Sequence, residues 1–255
     1  MPDTDDPFID ALVRSLSADP DVVGLVLAGS SAETERRDQW SDHDFLLITE
    51  DGTPEGYRTD LSWLPQAEDI AYWFRETPHG LKVLYRTGLL VEFAAFDRAE
   101  FAGCALNHYR VAIDRGGIAD VAAQVRGRSM APRTVDRFVE FRNLLSLLYI
   151  ANGRARRGER LSANVFVRTY AVDHLLRLAR DLMPEDRLAR LDALDVWRRF
   201  ETADPVLSAD IDAALTLPVE AAAKALLDVA DQWLLDHWPE YPRDETYVIR
   251  DLLGW

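Results

Sequence analysis

Residues 22–50, VVGLVLAGSSAETERRDQWSDHDFLLITE, decide the predicted fold of this chain. The segment opens on a short apolar run rich in β-branched side chains, which is typical of a buried strand. Gly29 and Ser30 follow, and a glycine at this point allows a sharp turn and a close backbone approach to a ligand. Ser30 or Ser31 can cap a helix whose first N–H groups attract an anion. The first half of the segment therefore predicts a strand that leads into a phosphate-binding turn.

Asp42 and Asp44 stand at the start of the second apolar run, two residues apart. On a strand such residues point to the same face, so the side chain of His43 between them points the other way. Two carboxylates on one face repel each other unless a cation lies between them, and hard oxygen ligands suit Mg²⁺. Ser41, directly before the pair, can donate its hydroxyl to a phosphate oxygen. The segment as a whole thus favours phosphoryl or nucleotidyl transfer.

Other classes of protein use a D-x-D pair, and the pair also occurs in solvated turns. Haloacid-dehalogenase phosphatases and many glycosyltransferases place the pair after an apolar strand. Here the apolar residues 45–48 follow the carboxylates, so that the pair lies at the start of the strand. This order argues against both of those classes.

Gly29-Ser30 followed by Asp42-His43-Asp44-Phe45 resembles the signature of the polymerase-β-type nucleotidyltransferase superfamily. That superfamily needs a third carboxylate on a neighbouring strand, and Glu92 is the candidate for it here. Glu92 stands in an otherwise apolar predicted strand, where a charge is costly unless it is paired or binds a metal. The alternative for Glu92 is a salt bridge to a nearby arginine such as Arg86. Within the superfamily, the size and layout resemble the antibiotic nucleotidyltransferases, which act on aminoglycosides or lincosamides.

Two domains are predicted, a nucleotidyltransferase catalytic domain over residues 1–125 and a helical domain over residues 126–255. In the first, strands are predicted at residues 22–28, 44–49, 70–75, 81–86, 89–96 and 109–114, with helices at 8–16 and 98–107. After residue 132 the apolar pattern becomes helical throughout. The predicted fold class is therefore α+β, a mixed sheet with helices followed by an all-α bundle. The resemblance implies the same layout, in which the bundle clamps substrate or nucleotide.

Charge and composition limit the possible partners. The net charge is −15, and residues 1–125 alone hold 23 acidic and 10 basic side chains. Such an acidic chain is a poor general nucleic-acid binder, because that affinity rests on neutralising phosphates. Residues 126–170 are basic, with ten arginines against three acidic residues. This distribution suits a site where arginines hold a nucleoside triphosphate and acidic walls attract a small cationic acceptor.

The expected location is the cytoplasm. No apolar run approaches the roughly 18 residues of a membrane span, and the acidic start MPDTDDP lacks the apolar core of a secretory signal. Cys104 is the single cysteine, which excludes an internal disulfide and fits a reducing compartment. We expect Cys104 to pack within a helix.

Arginines of the helical domain are candidates for phosphate binding. Arg142 and Arg168 stand among apolar neighbours and are predicted to hold the triphosphate. Arg154, Arg156 and Arg157 are predicted to lie in a solvated loop instead.

Two carboxylates of the same domain are candidates for binding the acceptor. Asp136 and Glu140 are four residues apart, so on a helix they share a face. They could flank an amine of the acceptor or act as a base. The alternative is a solvated helix face on which they pair with Arg133 and Arg137.

The resemblance implies Mg²⁺-dependent transfer of a nucleoside monophosphate, AMP from ATP, to a hydroxyl of the acceptor, with release of pyrophosphate. Asp42 and Asp44 would bind Mg²⁺, and Glu92 would bind a second metal or accept the proton of the acceptor hydroxyl. Arginines and the turn at Gly29 would offset the developing charge. Two alternatives stay open. One is a transferase that modifies a protein or RNA, of the toxin–antitoxin type, and the other is a non-catalytic nucleotide-binding relative.

Overall fold

The computed structural model describes residues 6–32, 41–129, 135–192 and 194–255. The chain forms two compact units, residues 1–131 and 132–255. This division lies beyond the boundary predicted after residue 125, because the helix Ile118–Ser129 runs across that point. Its residues Ile118, Ala122 and Val125 are buried in the core of the first unit, which keeps the whole helix there.

The first unit is a six-stranded sheet with helices on both faces. Its strands are β1 (Val22–Ala28), β2 (His43–Thr49), β3 (Ile70–Arg75), β4 (Gly80–Tyr85), β5 (Leu90–Phe96) and β6 (Tyr109–Asp114). Its α-helices are α1 (Pro7–Ala18), α2 (Gly29–Ala32), α3 (Pro54–Thr59), α4 (Arg98–Ala102) and α5 (Ile118–Ser129), with a 3₁₀ turn at Ala67–Asp69.

The sheet is mixed, with the strand order β3-β4-β5-β2-β1-β6. Its neighbouring strands are antiparallel except for β2 and β5, which run parallel. One face packs against α1, through residues such as Phe8 and Leu12. The other face is covered by α4 and α5, through residues such as Phe101 and Ile118. The mixed sheet predicted from the sequence is confirmed.

All six predicted strands are present, and their ends differ by at most one residue from the prediction. The predicted helix over residues 98–107 is wrong, because α4 ends at Ala102. Asp97 starts this helix with a capping box to Glu100, and Gly103 is its C-cap. Beyond Gly103 the chain is irregular until β6 begins at Tyr109.

The second unit is built from helices around one apolar core. The helices are α6 (Arg137–Arg156), α7 (Arg160–Val165), α8 (Val172–Leu182), α9 (Glu185–Leu188), α10 (Phe200–Ala203), α11 (Pro205–Leu215), α12 (Val219–His237) and α13 (Arg243–Leu253). A π-helical segment, Phe166–Ala171, joins α7 to α8. Within the described parts of the chain, no helix is both long enough and apolar enough to cross a bilayer.

Candidate metal and phosphate site

Three carboxylates meet where the parallel strands β2 and β5 begin. Asp44 and Glu92 are direct partners in the register of these strands, so their side chains share one face of the sheet. Asp42 directly precedes β2. One carboxylate oxygen from each of Asp42, Asp44 and Glu92 lies within 4.8 Å of the other two, and all three residues are half-buried. Three hard oxygen donors at this spacing fit a divalent cation such as Mg²⁺.

Gly29 lies against this cluster at the end of β1. Its φ of +53° falls in the left-handed region, and a Cβ at this position would lie only 2.6 Å from Oδ2 of Asp44. The backbone N–H of Asp44 donates to the hydroxyl of the buried Ser31, with an N–Oγ distance of 3.1 Å. The turn after β1 is therefore fitted closely around Asp44. A Cβ at residue 29 would clash with the Asp44 carboxylate, so a glycine is required for this close approach.

The remaining phosphate-site residues have only a partial structural description. Ser30 belongs to α2, and its side chain lies outside the described parts of the structure. Ser41 is half-buried and directly precedes Asp42. The binding of phosphate by Gly29, Ser30, Ser31 and Ser41 stays a prediction.

His43 points away from the carboxylates, as the alternation of a strand predicts. Its side chain is buried, its ring stacks on Phe8 with centroids 5.1 Å apart, and its Nε2 lies 3.5 Å from the carboxylate of Asp6. His43 therefore connects β2 to the start of α1, on the face opposite the three carboxylates.

Glu92 has a lysine partner that the sequence interpretation missed. The Nζ of Lys82, on β4, lies 3.2 Å from Oε1 of Glu92 and 3.1 Å from Oε1 of Glu76. Hydrogen bonds to Glu76 and then to Glu92 raise the pKa of the Lys82 ammonium. The ion pair that was the alternative for Glu92 exists, but its partner is Lys82 and not Arg86. The available signal was that Lys82 is a charged residue inside an apolar strand, as Glu92 is.

The two arginines predicted to hold phosphates have partners within the second unit. Arg142 makes a two-pronged contact with Glu245, with Nε–Oε2 and Nη2–Oε1 distances of 3.0 and 2.8 Å. Arg168 donates from Nε to Oδ1 of Asn164 at 2.7 Å and from Nη2 to the carbonyl of Leu217 at 2.7 Å. Binding of phosphate by Arg142 and Arg168 stays a prediction, and it would compete with these contacts.

The expectation of a solvated loop is wrong for Arg154 and Arg156, whereas Arg157 lies in the exposed turn that follows α6. Arg154 and Arg156 belong to the last turn of α6. The guanidinium of Arg154 lies 4.0 Å from the ring centroid of Phe166, and Arg156 donates to the carbonyl of Leu253 at 3.0 Å. Sequence spacing did not reveal these contacts because their partners lie on other helices.

Asp136 and Glu140, the acceptor-site candidates, have separate roles in the structure. Asp136 is the N-cap of α6 and accepts the backbone N–H groups of Phe138 and Val139, each at 3.1 Å. Oε2 of Glu140 lies 2.5 Å from Nδ1 of His174 on α8. The role of both carboxylates in binding an acceptor stays a prediction.

The alternative prediction was that Asp136 and Glu140 pair with Arg133 and Arg137, and for Arg137 it is wrong. Its Nε donates to Oδ2 of Asp181 at 2.6 Å, across to the end of α8. Arg133 lies outside the described residues.

Comparison with solved structures finds a distant similarity. No protein-family model matches the chain, and no curated protein matches it. Among solved structures, a nucleotidyltransferase-like protein from Exiguobacterium sibiricum 255-15 is similar to this chain, with 15% sequence identity and a TM-score of 0.35. The similarity covers 89% of this chain and 75% of the chain of that protein. A similarity at this level does not establish the function of this chain.

Proposed function

We propose that this protein is a metal-dependent nucleotidyltransferase. It moves a nucleoside monophosphate, AMP from ATP, to a hydroxyl of a small cationic acceptor such as an aminoglycoside, and it releases pyrophosphate. The observation that carries this proposal is the cluster of Asp42, Asp44 and Glu92, whose carboxylate oxygens lie within 4.8 Å of one another. Gly29 supports it, because only a residue without a Cβ allows the turn after β1 to lie this close to the Asp44 carboxylate.

Asp42 and Asp44 would hold magnesium together with Glu92. When bound there, magnesium supplies positive charge that offsets the charge of the nucleotide phosphates. The acceptor oxygen forms a bond to the α-phosphorus, and the bond from the α-phosphorus to the bridging oxygen breaks. The electron pair of that bond leaves with pyrophosphate. Glu92 has two available roles, as a further metal ligand or as the group that takes the proton from the acceptor hydroxyl.

The charge of the first unit supports a cationic acceptor. Residues 1–125, which include the three carboxylates, carry a net charge of −13 from 23 acidic and 10 basic side chains. Such a field attracts cations and repels nucleic acid. An aminoglycoside carries several ammonium groups and several hydroxyls, so it suits this field, and modification of a hydroxyl would make the protein an antibiotic-resistance enzyme. Its proposed location is the cytoplasm, where ATP and Mg²⁺ are available.

The proposed role of the second unit is to bind substrates. Arg142 and Arg168 would contact the triphosphate, and Asp136 and Glu140 would contact an amine of the acceptor. Each of these four side chains has a partner inside the unit. Substrate binding would therefore exchange one polar partner of each side chain for another, and it would not leave an unpaired charge.

The test is release of pyrophosphate from each nucleoside triphosphate, with a panel of aminoglycosides and lincosamides, in Mg²⁺ and in EDTA. Asp42→Asn and Asp44→Asn should each lower metal-dependent turnover about 100-fold or more, because each removes charge from the metal site. Asp60→Asn is the matched control, since Asp60 is an exposed carboxylate of the same unit that accepts the backbone N–H of Ser62. Substantial metal-dependent turnover in either site variant would refute the assignment.

The same experiment separates the alternatives when the ATP carries a label on its α-phosphate. Label that appears on a protein or RNA, and not on a small acceptor, would identify a transferase with a macromolecular acceptor. Binding of ATP without release of pyrophosphate for any acceptor in the panel would favour a non-catalytic nucleotide-binding protein.

A further inference from the structure

Lys82 lies beside the candidate metal site, and none of the roles described above accounts for it. On the antiparallel strands β4 and β5, Lys82 is the direct cross-strand partner of Glu92. On the parallel strands β5 and β2, Glu92 is in turn the partner of Asp44. The three side chains thus form one row across a face of the sheet, with neighbouring strands about 4.8 Å apart. Glu92 stands between an ammonium group on one side and a carboxylate on the other.

We infer that Lys82 is a built-in counter-ion of this site, which holds Glu92 when no metal is bound and moves to Glu76 when a divalent cation binds. This inference rests on the proposed metal-dependent function, because it concerns the same three carboxylates. Lys82 would then set how tightly the protein binds its metal, without itself being a metal ligand.

The contacts of Lys82 allow this exchange. Its Nζ lies 3.2 Å from Glu92 and 3.1 Å from Glu76, so that the ammonium is already bound to both carboxylates. The Lys82 side chain is 28% exposed, which leaves it in contact with water. A lysine ammonium is a compact charge on a flexible stem, so it can lose one carboxylate and keep the other with little movement.

The reason for the exchange is competition for one carboxylate. A divalent cation at the cluster attracts the Glu92 oxygens towards Asp42 and Asp44, while the ammonium attracts them towards β4. The two cations also repel each other. Binding of the metal therefore has to weaken the Lys82–Glu92 contact, and Glu76 offers the ammonium a second partner of equal charge.

Two substitutions should act in opposite directions. Lys82→Met keeps the length of the side chain and removes the competing charge, so it should tighten metal binding. Glu76→Gln removes the second partner and leaves the ammonium dependent on Glu92, so it should weaken metal binding. Changes of about two- to five-fold in Kd are expected, the range for partly exposed ion pairs. Lys224→Met is the matched control, because Lys224 is the other lysine of the chain and pairs with Asp228 on α12.

The experiment is a titration of the full-length protein with Mn²⁺ as a spectroscopic substitute for Mg²⁺, read by electron paramagnetic resonance of the unbound ion. Circular dichroism and thermal melting in EDTA identify any variant that does not fold. The expected order of Kd is Lys82→Met below the wild type, Lys224→Met equal to the wild type, and Glu76→Gln above it. Lys82→Gln, which also removes the charge, should follow Lys82→Met.

Three results would overturn the inference. The first is that Lys82→Met binds Mn²⁺ no more tightly than the wild type, and the second is that Glu76→Gln leaves the Kd unchanged. The third is that Lys224→Met tightens binding as much as Lys82→Met, which would indicate a general effect of net charge. A different result would refute the proposed function. If Asp42→Asn and Asp44→Asn leave Mn²⁺ binding intact, the assignment of the metal site is wrong, and the inferred role of Lys82 is then wrong as well.

Discussion

The substitution Gly29→Ala tests how closely the turn after β1 is fitted to the proposed metal site. Gly29 has a φ of +53°, a region that alanine disfavours, and the added Cβ would lie 2.6 Å from Oδ2 of Asp44. Ordinary van der Waals contact for a Cβ begins at 3.4 Å, 0.8 Å longer than 2.6 Å, so the Asp44 carboxylate has to move. The structure therefore predicts two effects of one methyl group, a loss of stability and a loss of metal affinity.

The two effects have separate sources and can be estimated separately. Placing a residue with a Cβ in a left-handed conformation costs about 1–2 kcal/mol of the free energy of unfolding. Displacing a carboxylate of a metal site by disturbing what surrounds it typically costs about 10- to 100-fold in metal affinity. We expect Gly29→Ala to show both, with loss of metal-dependent turnover as a consequence of the second.

Gly52→Ala is the matched control for Gly29→Ala. Gly52 also has a positive φ, +83°, but a Cβ there would meet no atom within 4 Å. This variant should lose a similar free energy of unfolding, about 1–2 kcal/mol, and keep the metal affinity of the wild type. Thermal or urea unfolding in EDTA measures the first quantity, and a titration with Mn²⁺ measures the second. Wild-type Mn²⁺ affinity in Gly29→Ala, or an equal loss in Gly52→Ala, would refute the reasoning.

Two further predictions concern stability and thiol reactivity. Asp204→Ala should lower the free energy of unfolding by about 2–4 kcal/mol in urea, because the buried Asp204 caps α11 at the N–H of Leu207 and accepts the indole N–H of Trp233, each at 3.0 Å. The exposed Asp195 is the control position for alanine, and a change within about 0.5 kcal/mol of the wild type for Asp204→Ala would contradict the prediction. Burial raises the pKa of the Cys104 thiol, so less thiolate is present at a given pH than in the unfolded chain. Alkylation by iodoacetamide, followed by mass spectrometry, should therefore be slower in the folded protein at pH 8, and the pH midpoint of the alkylation rate should be higher than in guanidinium. An equal midpoint in the folded protein and in guanidinium would show that burial has no such effect.

The candidate site was predictable where its pattern is local. Asp42 and Asp44 are separated by one residue, and the alternation of a strand is enough to place them on the side opposite His43. Glu92 was found because a charge inside an apolar strand needs an explanation. The six strands were found from their apolar and β-branched runs.

The helical unit was predicted less well, because its polar contacts join distant parts of the chain. Arg142 has apolar neighbours in the sequence, yet it pairs with Glu245, 103 residues further on. Glu140 pairs with His174, 34 residues away, and not with an arginine on its own helix face. Helical spacing identifies which residues share a face, but it does not say which other helix packs against that face.

By itself the sequence determined the parts of this protein that depend on neighbouring residues: the strand before Gly29, the turn, the paired carboxylates and the change to helices in the second half. Only the tertiary structure decided the rest of the site. The parallel pairing of β2 with β5 puts Asp44 opposite Glu92, the antiparallel pairing of β4 with β5 puts Lys82 on the other side of Glu92, and the turn brings Gly29 against Asp44. The physical reason is that strand order and register are set by the packing of the whole sheet, whereas the alternation of side chains is set by the backbone of a single strand.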